Sequence, residues 1–174
     1  GGGGGGIPKY EDFTASGTFT PSQALIDAGG RVSYLIVGAG GTGYNGANAG
    51  SGGAVIFGYA TLSSTTACTV TVGAGGSGGV NQSGGTSSVA FSSAGGTDVT
   101  AGGGGGQGGT NYGSRYYSND GFSQGYPGVL GYGRGARAYA GGPSGLTTNF
   151  NNYGTGGVYN GTAADGFVRI TWFE

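Results

Sequence analysis

The sequence predicts an all-β protein, a small antiparallel β-sandwich or partly closed barrel with long, ordered glycine-rich connections. Several short segments alternate apolar and polar residues, which is the pattern of half-buried strands. No segment repeats apolar residues at helical spacing over three turns. Glycine accounts for 49 of the 174 residues and is grouped in blocks between the strand patterns. We expect about seven short strands joined by these blocks.

The first three predicted strands lie within the first 62 residues. Phe13–Thr20 places Phe13 and Phe19 on one face and four hydroxyl-bearing side chains on the other. Arg31–Val37 is apolar on both faces, which is typical of a central strand. Ala54–Leu62 alternates Val55, Phe57 and Tyr59 on one face with Ile56, Ala60 and Leu62 on the other.

The remaining strands are shorter, apart from the last. Ala67–Val72 alternates strictly, while Ser87–Phe91 and Thr97–Thr100 are brief β-prone runs. Phe167–Phe173 closes the chain with alternating large apolar residues. The most helix-like stretch, Ser22–Asp27, is about one turn long and is followed closely by two glycines, so we predict a connector there.

Composition argues against catalysis and against nucleic acid as a partner. The net charge is −1 and only 7% of residues are charged, so there is no basic surface for phosphate backbones. The chain has no histidine and one cysteine, Cys68, predicted to be a small buried hydrophobic residue. The carboxylates Asp98, Asp120 and Asp165 are isolated in turn-like sequence, and no metal-ligand cluster is present. We therefore expect a protein that is not an enzyme and has no cofactor.

One segment matches a dinucleotide-binding pattern by chance. The predicted strand Val32–Val37 runs into Gly38–Gly43, which reads G-x-G-x-x-G. That motif functions only where a helix begins, because the helix N-terminus holds the pyrophosphate. Here Tyr44–Gly50 is a helix-breaking sequence, and no acidic residue follows at the spacing that binds ribose. Nucleotide binding is therefore not predicted.

The connections 38–53, 73–85 and 101–165 are unusually long. Structureless loops beyond about 12–15 residues are uncommon, so these segments are either disordered or functional. Glycine allows an extended left-handed helix with three residues per turn, whose backbone groups all point outward. Several such helices can hydrogen-bond side by side and satisfy one another's backbone groups. We expect ordered, polyglycine II-like packing.

The segment 101–165 carries the strongest functional signal. It contains eight of the twelve tyrosines and three of the six basic residues. Tyrosine and arginine form large amphipathic contacts, with asparagine, serine and glycine supplying adaptable hydrogen bonds, as in binding loops. An alternative is that the tyrosines cover the packed glycine helices as a lid. The predicted receptor-binding residues are Tyr112, Arg115, Tyr116, Tyr117, Phe122, Tyr126, Tyr132, Arg134, Arg137, Tyr139, Tyr153 and Tyr159.

An ordered set of motifs resembles the glycine-rich C-terminal domain of bacteriophage tail-fibre proteins. The resemblance covers nearly the whole chain after Tyr10. It is more distant to the T-even phage tail-tip adhesins, from which this chain departs by having a strand framework at both ends. The matching stretches are Phe13–Thr20, Val32–Gly41, Cys68–Gly76, Ala101–Gly106 and Ala164–Trp172.

The resemblance implies a receptor-binding tip at the distal end of a virion tail fibre. Its partners would be a bacterial surface polysaccharide or outer-membrane protein and the upstream fibre shaft. Residues 1–10 would be a linker from the shaft, and 11–174 the tip domain with an insertion at 101–165. Fibre tips of this kind are commonly homotrimers, whereas the T-even adhesins cap a trimer as single chains, so both states stay open. A structural capping or assembly module without a ligand is the alternative function.

Overall fold

The computed structural model describes residues 6–42, 52–77, 82–104, 153–154 and 162–174, together with the backbone of 116–118 and 124–126. The all-β prediction is confirmed, since ten strands in the described ranges form two five-stranded antiparallel sheets. The strands are β1 (Pro8–Phe13), β2 (Gly17–Phe19), β3 (Arg31–Val37), β4 (Val55–Thr61), β5 (Cys68–Thr71), β6 (Ser87–Val89), β7 (Val99–Ala101), β8 (Tyr116–Ser118), β9 (Gln124–Tyr126) and β10 (Phe167–Phe173).

Sheet 1 has the order β1-β10-β3-β4-β9, and sheet 2 has the order β2-β5-β6-β7-β8. Strand β3 is central, as its apolar sequence predicts, because it pairs with both β10 and β4. The inner faces of the two sheets enclose one core that includes Ile36, Ile56, Val70, Val89 and Val168, all fully buried. The fold is therefore a sandwich with the core between two layers.

The chain changes sheets where the sequence predicts one continuous strand. β1 ends at Phe13, opposite Val168 in sheet 1, and β2 begins at Gly17, opposite Val70 in sheet 2. Phe13 and Phe19 therefore enter the same core from different sheets. Alternation alone does not reveal this crossing, because both halves keep the same inward periodicity.

Three further elements differ from expectation. β1 begins at Pro8, inside the segment expected to be a linker, and pairs along its length with β10. A helix, α1 (Gln23–Asp27), replaces the predicted connector, because Ser22 Oγ caps it by accepting from Leu25 N at 3.1 Å and Leu25 is buried. β8 and β9 both arise within 101–165 and extend one edge of each sheet.

Phe91–Ala94 forms a 3₁₀ helix between β6 and β7. The ring of Phe91 packs against Tyr34, with ring centroids 5.5 Å apart. Trp172 lies edge-on to Phe19 at 5.2 Å and closes the other side of the core. Among the helices that the structure describes, none is long and apolar enough to cross a membrane.

Candidate functional site

The long glycine-rich connections all leave the same end of the sandwich. β3 ends at Val37, which lies opposite both Val55, the first residue of β4, and Phe167, the first residue of β10. In sheet 2, β7 ends at Ala101, opposite Ser87 at the start of β6. We call the described residues at this end the glycine platform: 38–42, 52–54, 73–77, 82–86, 102–104, 153–154 and 162–166.

Backbone hydrogen bonds join the segments of the glycine platform. Gly38 N donates to Ala54 O at 2.8 Å, Ala39 N to Gly85 O at 3.0 Å, and Gly40 N to Ala164 O at 3.0 Å. Three successive residues of one segment therefore donate to three different segments. The neighbouring donors of this network include Gly76, Gly84, Gly85, Gly104, Ala163 and Gly166.

The bonding repeats every third residue. Ala39 donates to Gly85, and Thr42 donates to Gln82 at 2.8 Å, so the chain returns to the same neighbour after three residues. Three residues per turn is the interval of the extended left-handed helix that the glycine content predicts. Because each segment satisfies backbone groups of its neighbours, the platform can be buried without unpaired amides at these positions.

The segments approach too closely for any side chain. A Cβ on Gly53 would lie 1.9 Å from the carbonyl oxygen of Gly38, and a Cβ on Gly103 would lie 2.0 Å from that of Gly84. Both obstacles are backbone atoms that cannot rotate away. Glycine is therefore required at these positions by packing between segments of the chain, not by turn geometry.

The same hydrogen bonds occupy most backbone amides in the described part of the G-x-G-x-x-G match. Within 38–42, the amides of Gly38, Ala39, Gly40 and Thr42 already donate to carbonyl oxygens. A phosphate-binding loop needs such amides free and a helix N-terminus behind them. Four amides of the described part of this segment are therefore already paired, and no helix begins within that part.

The predicted receptor-binding residues are only partly within the described structure. Tyr116 and Tyr117 belong to β8, Tyr126 belongs to β9, and Tyr153 lies on the platform. β8 and β9 are the edge strands of the two sheets on the same side of the sandwich. The other predicted residues lie outside the described ranges: Tyr112, Arg115, Phe122, Tyr132, Arg134, Arg137, Tyr139 and Tyr159.

Tyr153 packs as a cover residue. Its ring stacks on Phe167, with centroids 4.6 Å apart and planes 18° apart. It thereby shields a small second cluster on the outer face of sheet 1, formed by Val37, Val55 and Phe167. The next residue, Gly154, donates to Asp165 O at 2.8 Å and ties this point of the chain to the platform. Tyr153 therefore packs on the strand framework beside the platform.

The described segments locate the ends of the remaining loops. Residue 104 of the platform leads into 105–115, and β8 follows; β9 leads into 127–152, and Tyr153 returns the chain to the platform. The segments 43–51, 78–81 and 155–161 likewise begin and end at platform residues. The loops rich in tyrosine and arginine are thus attached at one end of the molecule.

Two arginine–tyrosine pairs on the outer face of sheet 1 were not predicted from sequence. Arg31 lies 4.2 Å above the centroid of the Tyr59 ring. Arg169 lies 5.2 Å from the Tyr10 ring and donates two hydrogen bonds to Asp12, at 2.6 and 2.7 Å. These bonds raise the pKa of Arg169 above the ordinary value of arginine. The alternation of each strand places these residues on the face away from the core. Only the strand pairing shows which arginine lies beside which tyrosine.

The described residues contain no group of three or more metal-ligating side chains. Cys68 is buried, and burial raises the pKa of its thiol, which disfavours the thiolate that nucleophilic chemistry needs. Asp165, one of the isolated carboxylates, accepts a hydrogen bond from Gly75 N at 2.8 Å and so holds two platform segments together.

Comparison of the chain with protein-family models, curated proteins and solved structures finds no match.

Proposed function

We propose that this chain is the non-catalytic receptor-binding tip of a phage tail fibre, placed at the distal end of the virion fibre. The receptor would be a bacterial surface polysaccharide or an outer-membrane protein. The observation that carries the proposal is the glycine platform, from which the tyrosine- and arginine-rich loops leave at one end of a compact sandwich.

The position of the first described residues supports a tip arrangement. Ile7 N donates to Glu174 O at 2.7 Å, and Glu174 N donates to Ile7 O at 3.1 Å, at the end where β1 begins and β10 finishes. That end is opposite the platform, because β10 starts beside Val37 and runs the length of the sheet. A shaft joined on the N-terminal side would leave the platform loops pointing away from it.

The platform suits a presenting role because its segments hold one another through backbone groups alone. We infer a polyglycine II-like scaffold, supported by the three-residue interval of hydrogen bonds at 38–42. Such a scaffold has no side chains of its own to compete with those in the loops. Large amphipathic residues in the loops would then form most of the contact surface.

An adsorption experiment tests the proposal. Tyr132, Arg134 and Tyr139 are changed together to alanine, since Tyr116 and Tyr117 belong to a strand paired with β7 and their replacement could perturb sheet 2. We expect the triple variant to lose adsorption to host cells while keeping the wild-type fold by circular dichroism. Tyr10→Ala is the matched control, because Tyr10 is 67% exposed on sheet 1 away from the platform. Unchanged adsorption by the folded triple variant would contradict the proposed role of this loop.

A second candidate, a capping or assembly module of a virion or surface fibre, is favoured by one observation. Ile7, Tyr10 and Phe173 are 65%, 67% and 58% exposed and lie towards the end opposite the platform. Exposed aromatic and aliphatic residues in one region are typical of subunit contacts. An isolated chain that forms trimers in sedimentation equilibrium but binds no host cells would favour this function over receptor binding.

A further inference from the structure

We propose that the cavity beside Arg31 and Tyr59 binds the carboxylate of a hexuronic acid residue in a polysaccharide. This site lies on sheet 1 near the end opposite the glycine platform. Neither proposal depends on the other.

The two pairs have the same geometry within the sheet. Arg169 is directly opposite Asp12, and its tyrosine, Tyr10, is the diagonal neighbour two residues along the same partner strand. Arg31 is directly opposite Thr61, and its tyrosine, Tyr59, is likewise two residues along the partner strand. Diagonal neighbours are within reach of long side chains in an antiparallel pair. The two sites differ mainly in the residue directly opposite the arginine.

Where the first pair has a carboxylate, the second has a hydroxyl. Asp12 accepts two hydrogen bonds from Arg169, the two-pronged arrangement that guanidinium prefers. Thr61 cannot replace this anion, and Arg31 forms no ion pair with any carboxylate in the described part of the chain. Tyr59 covers one face of the guanidinium, which leaves the in-plane N–H donors of an exposed side chain available.

A cavity lies beside Arg31 and Thr61, the residue that stands opposite it in the sheet. It has a volume of about 420 Å³, within the range of small-ligand sites, and its lining includes Arg31, Tyr59, Thr61 and Thr97. Part of its wall is the backbone of Gly95 and Gly96, which carry no side chain to fill it. One cation, hydroxyl groups and the half-exposed ring of Tyr59 therefore face the same space.

A larger cavity of about 730 Å³ adjoins it, since Arg31 and Tyr59 line both. Its walls include the hydroxyl groups of Ser33 and Thr171 and the exposed ring of Phe173. Glu174 also lines this second cavity, but its carboxylate accepts hydrogen bonds from Ser22 and Trp172.

These features favour a sugar acid over an acidic peptide. A concave site with several hydroxyl groups and aromatic rings suits the ring and hydroxyls of a saccharide, while a single arginine takes one carboxylate. The adjoining cavities leave room for a neighbouring sugar on the same chain. A peptide rich in glutamate would instead be expected to need several basic side chains, and charged residues are only 7% of this chain.

The test is an NMR titration of the full 174-residue chain with a galacturonic acid oligosaccharide. We expect the Arg31 side-chain Nε–H signal and the Tyr59 ring signals to shift. The variant Arg31→Gln should weaken binding about tenfold or more, the scale of losing a charge-assisted hydrogen-bond pair. Asp12→Asn is a control on the other pair and should leave binding of the oligosaccharide unchanged.

A second pair of variants separates an effect of charge on binding from an effect of misfolding. Thr61→Asp should supply Arg31 with its own carboxylate, copy the Asp12 arrangement and abolish binding. Thr61→Asn has nearly the same shape as Thr61→Asp without the charge and should weaken binding much less than Thr61→Asp does. Loss of binding in both Thr61 variants, when both are folded, would contradict the charge argument.

The ligand class is tested with three other probes. Neutral maltohexaose should not shift the Arg31 signal, acetate should bind more weakly than the oligosaccharide, and a glutamate-rich peptide should bind more weakly still. Equal or tighter binding of any of these three, or no shift of Arg31 with the galacturonic acid oligosaccharide, would overturn the assignment.

Discussion

The carbonyl oxygen of Gly38 lies 1.9 Å from the point where Gly53 would carry a Cβ. The two glycines come from opposite ends of the connection between β3 and β4. The backbones of these two ends are therefore in direct contact. Close approach of this kind lets carbonyl and amide groups of different segments pair, as Gly38 N does with Ala54 O.

Gly53→Ala should destabilise the protein by about 2–3 kcal/mol, because the obstacle is backbone and overpacking of this kind is costly. The free energy of unfolding can be measured in urea by the fluorescence of Trp172, the chain's one tryptophan. Gly17→Ala is the control, since its Cβ would meet only Phe13 at an ordinary 3.4 Å and should change stability by about 0.5 kcal/mol or less. Equal stability of the two variants would contradict backbone-limited packing.

The amides of Ala39, Gly40, Gly85 and Gly104 should exchange slowly with deuterium, because each donates to a carbonyl oxygen of another platform segment. Protection comparable to that of strand amides is expected in a hydrogen-exchange NMR experiment. The same chain in concentrated urea provides the unprotected reference rates. Exchange of these four amides at the unfolded rate under native conditions would refute an ordered platform.

Ser22→Ala should lower the free energy of unfolding by about 1 kcal/mol, the usual cost of losing an N-cap. The hydroxyl of Ser22 accepts from Leu25 N at 3.1 Å and donates to Glu174 at 3.0 Å, so two contacts are lost. Ser22→Thr keeps the hydroxyl and should be nearly neutral. A chemical denaturation series on the three proteins decides the point, and a neutral alanine variant would show that the cap contributes little.

The ion pair between Asp12 and Arg169 should contribute about 0.5–1 kcal/mol, since both side chains are about one-third exposed. A double-mutant cycle with Asp12→Asn and Arg169→Gln isolates the coupling free energy between the two side chains. The coupling should decrease when salt is added, because solvent-exposed charges are screened. Coupling that is large and insensitive to salt would be inconsistent with a surface pair.

The buried thiol of Cys68 should make the protein less stable at alkaline pH. Burial raises the pKa of this thiol in the folded state above its ordinary value of 9.0, so the unfolded chain loses the proton first. The resulting stability is present below about pH 9 and is lost as the pH rises through and beyond that value. Comparison of wild type with Cys68→Ala by urea unfolding from pH 7 to 10.5 should show a steeper alkaline decrease for wild type. Parallel profiles would contradict this.

Much of the framework could be read from periodicity. Phe167–Phe173 has the bounds its alternation predicts, and Arg31–Val37 is central, as its apolar character on both faces indicates. The strand Phe13–Thr20 was predicted wrongly as continuous, because a crossing between sheets preserves the alternation. The short α1 was missed, because a single turn is stabilised by the Ser22 cap and burial of Leu25 more than by helical periodicity.

The candidate sites were less predictable. The concentration of tyrosine and arginine in 101–165 marks a surface segment by composition alone, but its attachment to the platform required the positions of β8, β9 and Tyr153. The Arg31–Tyr59 pair could not be found from sequence, because the two residues are 28 positions apart and meet only through the pairing of β3 with β4. Local patterns do not contain such a register.

Alternation of apolar residues and the abundance of glycine were enough to specify an all-β chain whose connections could pack without side chains. The tertiary structure decided which strands became neighbours, that the glycine segments gather at one end, and that Arg31 faces Thr61 while Arg169 faces Asp12. The physical reason is that side-chain periodicity is a local property, whereas strand register and backbone contact depend on residues distant in sequence. One arrangement of the strands is selected only when the strand pairings and the backbone contacts form together.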